Sequence, residues 1–288
     1  MTDRPPDDDP TEIVVPAATG TVATTTRRGG VVRIRRPETV WLSTGPNGGP
    51  SRGPVAYSVS VPDGWDRTDL AAYVEERRRD AGFETPGPAL LTGLAARHAR
   101  VARAGAVAVL ATAGLSNPAP LLVDDDPRRP ADDGGARPND DRTPADNGVR
   151  PNDGHGSGDG SSPPSTPADR PGTVNVVALV DRALRPAARA NLLTVVAEAK
   201  ATTLLDAAGV PGTTTDAVIV GTATEETAET AVRFSGSGTE IGAAVRACTH
   251  DAIRESLRSR YGDGERPGSV AEAEHGVVAS VSTEVTQP

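Results

Sequence analysis

The chain has 288 residues, enough for one large domain or two ordinary ones, and its formal net charge of −9 argues against nonspecific nucleic-acid binding. Its single cysteine, Cys248, excludes an intrachain disulfide or a thiolate metal cluster. The four histidines (His98, His155, His250 and His275) show no HxH, HxxxH or HExxH spacing, so no dedicated zinc site is expected; no metal ligands are assigned, and carboxylate ligation stays open.

Aromatic residues make up only 2% of the chain, and Lys200 is the sole lysine among 30 basic residues. Together with the acidity, this leans toward a salt-rich cytoplasm, where carboxylates keep a surface hydrated and charge is screened. The start, "MTDRPPDDDP", lacks the basic and apolar regions of a signal peptide. No apolar run approaches the roughly 20 residues that span a bilayer. The expectation is a cytoplasmic protein with no membrane insertion.

Residues 1–10 read as a disordered tail. From Glu12 to Val61 come short β-type runs punctuated by Gly and Pro, with "RRGGVV" as a hairpin turn. Residues 68–82 predict a helix capped by Thr68 and ended by Gly82. "ARHARVARAG" fits helix or strand, whereas 106–112 reads as a buried strand. Residues 124–170 hold 11 Asp against 6 Arg, a net of −5, and one aliphatic side chain larger than alanine. Such a segment has too little to bury and should remain disordered. Beyond it, 172–180 is a strand, and 186–208 is a helix opened by Pro186 and closed by Gly209. "DAVIVGTA" and "AVRFSG" read as strands. The next helix carries a capping box, Ser237 to Glu240, and an apolar stripe at Ile241, Val245, Cys248 and Ala252. Residues 263–288 read as a flexible tail in which "HGVVASVSTEV" could form a short strand.

Apolar strands on both sides of 124–170 imply one domain, 11–262, interrupted by a surface excursion. The predicted class is α/β: a mixed sheet flanked by helices, β-rich toward the N-terminus, with α+β as the alternative.

Four turns of glycine and small polar residues end strands: "STGPNGG" (43–49), "TAGLSNP" (112–118), "GTTTDA" (212–217) and "SGSGTEIG" (235–242). Such corners let backbone N–H groups approach a ligand, although they are also ordinary ways to end a strand. Lys200 lies in an otherwise apolar helix, about 200° round from Glu198. Arginine stays charged at any working pH, whereas a partly buried lysine can exchange its proton.

In order, "LSTGPNGG", "ATAGLSNP", "GTVNVVALVD" followed by "EAKATTL", "GTTTDAVIV" and "FSGSGTEIGAAV" resemble the adenosylcobinamide amidohydrolase family (CbiZ type) over residues 31–260. Thr214 stands where the family motif has glycine. The resemblance implies an α/β amidohydrolase of corrinoid salvage. It would hydrolyse the amide between the corrin propionate and aminopropanol, giving adenosylcobyric acid and 1-amino-2-propanol. The corrinoid is then the substrate, and no cofactor is expected. A non-catalytic corrinoid-binding or transport-associated module is the alternative.

Amide hydrolysis chemistry, laid on the matching positions, gives candidate catalytic roles to Lys200 or Glu198 as proton carriers and to Ser116, or a water held by Asn117, as nucleophile, with Asp216 orienting Lys200. Backbone N–H groups of Gly48–Gly49 or Gly114–Leu115 are candidates for the oxyanion hole. Thr44, Gly45, Asn47, Thr112, Asn117, Thr173, Asn175, Thr213, Thr215, Gly238 and Thr239 complete the expected substrate-binding set. All are expected to line one cleft large enough for a macrocycle.

Overall fold

The computed structural model describes residues 23–46, 48–62, 65–121, 173–224 and 231–262, the backbone of 11–15, and 273, 276–278 and 286–287. Residues 1–10, the 124–170 segment, Asn47 and most of the C-terminal tail lie outside the described residues. The C-terminal strand expectation falls largely among them; Gly276–Val278 carries no strand, and the Val277 N–H donates to the Pro118 carbonyl at 3.1 Å.

Among the described residues, nine strands form a single mixed sheet: β1 (Thr11–Val15), β2 (Ala23–Arg28), β3 (Val31–Ser43), β4 (Gly49–Ser60), β5 (Ala89–Thr92), β6 (Arg100–Ala104), β7 (Val107–Ala113), β8 (Val174–Ala183) and β9 (Val218–Ala223). The helices are α1 (Leu70–Asp80), α2 (Pro186–Ala208) and α3 (Glu240–Tyr261). The order is β1-β2-β3-β9-β8-β7-β6, with β4 and then β5 beside β3. The α/β class predicted from sequence is the class observed.

Period-two alternation on the strands separates two apolar layers. Val107, Val109, Val176, Ala178, Val218 and Val220 face α2 and α3, packing against Leu192, Val196, Val245, Cys248 and Ile253. Leu110, Val177, Leu179 and Ile219 face the other way, onto Ile34, Trp41, Ala56 and Leu90 of β3, β4 and β5. The strands covered on both faces are the apolar ones, and each buried valine or leucine contributes about 1.5–3 kcal/mol. Val31, Val55, Tyr57 and Val59 point outward again and are covered by Tyr73 and Val74 of α1 with Phe83. The order of layers is therefore α2/α3, β7–β9, β3–β5, α1.

The glycine pair of the β2–β3 hairpin has φ of 54° at Gly29 and 74° at Gly30, the double left-handed turn that suits twisted strands. The runs "GVVRIRR" and "TVWLSTG" fuse into the single strand β3, interrupted by a bulge between Arg35 and Thr39. There the buried Arg36 guanidinium meets Asp181 at 2.8 Å, and Glu38 has φ 48°. β7 and β8 pair along their length, Ala113 opposite Val174, so strands flanking the long insert are neighbours.

Several local expectations are corrected. α1 is capped at Asp69 rather than Thr68, without a side-chain hydrogen bond. The Thr239 hydroxyl, not Ser237, caps α3 by accepting from the Gly242 N–H at 3.0 Å; the residue next to the helix has the shorter reach. "AVRFSG" makes only an isolated bridge from Val232 to Leu184. "ARHARVARAG" divides into a 3-10 turn at 96–98 and the strand β6. α2 keeps its predicted ends, Pro186 in the first turn and left-handed Gly209 (φ 70°) beyond the last.

Candidate active site

Three of the four sequence-predicted corners converge at one end of the sheet, where β7 and β3 finish and β8 and β9 begin. The Thr44 N–H donates to the Val218 carbonyl, and the Thr44 hydroxyl accepts from the Val218 N–H, both at 2.9 Å. Residues 117–119 run beside 212–214: Ala119 N–H donates to Gly212 O and Thr214 N–H to Asn117 O, each at 3.0 Å. Gly114 N–H donates to the Thr173 carbonyl at 3.2 Å.

Asp216 is the node of this junction. Its Oδ1 accepts from the Val174 N–H (2.8 Å) and the Thr213 hydroxyl; its Oδ2 accepts from the Thr213 N–H (3.0 Å) and the Lys200 ammonium. Four donors occupy the roughly four acceptor sites of a carboxylate. Helix, strand and loop are thereby held together through one side chain. The ion pair is sheltered, with side-chain exposures of 12% for Lys200 and 10% for Asp216. Gly212 makes room for it, because a Cβ there would stand 2.7 Å from Asp216 Oδ2 and 3.0 Å from Lys200 Nζ.

A cavity of about 580 Å³ opens in front of this node. Thr173, Thr215, Asp216 and Ala217 form one wall, and Thr44, Gly45 and Pro46 of the β3–β4 turn another. Leu91 of β5 and Trp65, Arg67, Thr68 and Leu70 from the segment leading into α1 complete it. Gly45 fits because a Cβ would collide with the Ala89 carbonyl at 2.2 Å. Trp65 packs on Tyr73 with ring centroids 5.0 Å apart. Arg67 is clamped by Asp69 and Glu76, each at 2.7 Å, and those carboxylates raise its pKa further; the same guanidinium lowers that of Asp69.

Thus Thr44, Gly45, Thr173, Thr215 and Asp216 line the cavity, and Lys200 and Thr213 reach it through Asp216. Asn175 is used otherwise: its Oδ1 accepts from the Ala217 N–H at 3.0 Å and its Nδ2 donates to the Leu91 carbonyl at 2.6 Å, so it ties β8, β9 and β5 together. Thr112 and Asn117 are buried beside the junction, and Ser116 is half-buried in the 114–118 segment. The Gly114–Leu115 N–H pair is not available as an oxyanion hole, since Leu115 N–H donates to the Tyr261 hydroxyl at 2.9 Å and Gly114 N–H is committed to Thr173. Gly48 lies exposed in the β3–β4 turn and Gly49 opens β4 with φ 100°.

Three expectations separate from the site. Glu198 is exposed on α2, on the far side of the helix from Lys200. Gly238 and Thr239 sit at the start of α3, whose last residue, Tyr261, is the one that reaches the site; a helix of 22 residues places them about 30 Å away. Their glycine-rich turn docks instead on the start of α2, where the Ser235 hydroxyl donates to the Ala188 carbonyl at 2.6 Å. Missed by the sequence reading were Trp65, Arg67, Leu70 and Leu91. An aromatic inside the turn-type run "PDGWDRTD", in a chain with so few, was the available signal.

Among the described residues, no three His, Cys, Asp or Glu side chains cluster as a metal site, and no helix is long and apolar enough to cross a membrane. The family profile for adenosylcobinamide amidohydrolase matches residues 16–265. An adenosylcobinamide amidohydrolase of Halobacterium salinarum is 46% identical over 266 residues, covering 92% of this chain and 99% of that protein. The match runs through every element that builds the cavity, and the chain belongs to the adenosylcobinamide amidohydrolase family, whose members hydrolyse an amide bond.

Proposed function

We propose that this protein hydrolyses adenosylcobinamide at the amide joining aminopropanol to the corrin propionate, releasing adenosylcobyric acid and 1-amino-2-propanol in corrinoid salvage. Near-complete coverage of a relative of that name is the observation that carries the reading. In the reaction, water adds to the carbonyl carbon, the C–N bond breaks, and its electron pair leaves with nitrogen, which takes up a proton. The acid product gives up its proton to become a carboxylate.

Asp216 and Lys200 serve this chemistry chiefly by position. The saturated carboxylate fixes Lys200, Thr213 and Val174, and with them the wall bearing Thr173 and Thr215, so the groups meeting the substrate need no reorganisation when charge develops. The corrinoid is the substrate, and the reading calls for no cofactor. Incubating the purified chain with adenosylcobinamide and assaying 1-amino-2-propanol by mass spectrometry tests the proposal. Corrinoid binding without released amine would leave a binding module instead.

A further inference from the structure

A substituted corrin with its upper ligand is too large for the cavity. Sites of about 300–1,000 Å³ enclose drug-sized ligands, and this one, at about 580 Å³, is in the middle of that range. The cavity is thus smaller than the macrocycle-sized cleft expected from the sequence, with room for part of such a substrate.

The lining specifies which part. Thr173 is almost wholly buried, and its hydroxyl has no hydrogen-bond partner among the described residues. The Thr215 hydroxyl and the Trp65 indole N–H are likewise buried and unpartnered among the described residues, and all three residues line the cavity. Buried polar atoms left without partners are uncommon in folded proteins and call for an explanation. One staggered rotamer step turns a threonine hydroxyl toward a space its side chain already borders. Two hydroxyls, each donor and acceptor, complement a secondary amide, which offers a carbonyl acceptor and an N–H donor. Pro46, Leu70 and Leu91 supply apolar surface alongside them.

Building on the reaction proposed above, we propose that the cavity is an arm pocket. One amide-bearing side arm of the corrinoid enters it, its carbonyl and N–H bonded by the hydroxyls of Thr173 and Thr215 and its carbon chain lying against the Trp65 side chain. The macrocycle stays outside. Trp65 is then a specificity-determining residue, and the enzyme recognises the arm independently of the ring.

The probe is N-(2-hydroxypropyl)propanamide, the arm without its ring, titrated into the full chain while tryptophan fluorescence is recorded. The chain has two tryptophans. Trp41 is fully buried, its indole N–H donating to the Gly53 carbonyl at 2.9 Å, so it reports folding and not the cavity. Expected is a saturable response with a Kd on the order of 1–10 mM, fitting so small a ligand. Trp65→Phe should abolish the response while the Trp41 unfolding signal is retained. Thr173→Val and Thr215→Val should each weaken probe binding about tenfold and lower kcat/KM for adenosylcobinamide by a similar factor. A response that survives in Trp65→Phe, threonine variants that bind the probe like the parent, or no response at about 100 mM probe each overturns the arm pocket. Probe binding without turnover of adenosylcobinamide would support the pocket and remove the proposed reaction.

Discussion

Replacing Lys200 by methionine leaves the Asp216 carboxylate about nine-tenths buried with three donors in place of four. Removing one partner of a buried pair costs about 3–5 kcal/mol, against 1 or less for a solvated pair. The three remaining hydrogen bonds still hold the anion, which places the loss at the lower end, about 3 kcal/mol. Native domains are stable by about 5–15 kcal/mol, so this is a large fraction. Lys200→Arg should not restore the loss: even one methyl carbon added at Gly212 would stand 3.0 Å from Nζ, so the surroundings of the ammonium are too close for a guanidinium. The double variant Lys200→Met/Asp216→Asn, which buries no charge, should be more stable than the sum of the single losses predicts, by about 1–3 kcal/mol. Urea unfolding followed by tryptophan fluorescence, with a parallel turnover assay, measures the parent, Lys200→Met, Lys200→Arg, Asp216→Asn and the double variant. If Lys200→Met lost less than about 1 kcal/mol, or if the two substitutions proved additive, the view of Asp216 as the node of the site would be refuted.

Other consequences follow from the same geometry. Thr239→Ala removes the α3 cap and should lower stability by about 1 kcal/mol while leaving kcat/KM unchanged, because that turn is at the far end of the helix. Loss of turnover at constant stability would move the active site. Glu198→Gln, on the exposed face of α2, should change neither quantity by more than about 0.5 kcal/mol. Burial, assisted by Arg97 and Arg260, lowers the pKa of His98 from its ordinary 6.5. The unfolded chain therefore binds this proton more readily, and the contribution to stability is full above about pH 6.5 and lost as pH falls through that value toward the folded pKa. A thermal midpoint that falls between about pH 7 and pH 5, less steeply in His98→Gln, is the expected result. Excision of 124–170 should leave turnover of adenosylcobinamide within a few-fold of the parent, measured by the same release assay.

Much of the framework could be read along the chain because it is written in local terms. Pro186 and Gly209 bracket α2 through a missing N–H and a permitted left-handed φ, neither of which depends on distant residues. Gly29–Gly30 turns the first hairpin by the same local logic. The all-apolar runs of β7 and β8 require cover on both faces wherever they lie. Lys200 stood out by composition alone, and its partner Asp216 lay in one of the marked corners.

Contacts between distant segments decided the rest. Nothing local distinguishes the corner at 212–217, which joins the cavity, from the one at 235–242, which caps a helix some 30 Å off; strand order and the direction of α3 separate them. Asn175 looks like a ligand-reading amide until β5 and β9 arrive to take both its ends. Trp65 and Leu91 became cavity residues only when the β3–β5 half of the sheet folded across β7–β9. Periodicity and caps record what each segment does with its own backbone and which face it must bury, and so the chain alone determined its elements, its α/β class and its family. A site is made of side chains separated by up to 173 residues, from Thr44 to Ala217, and only packing of the whole domain could bring them to one place.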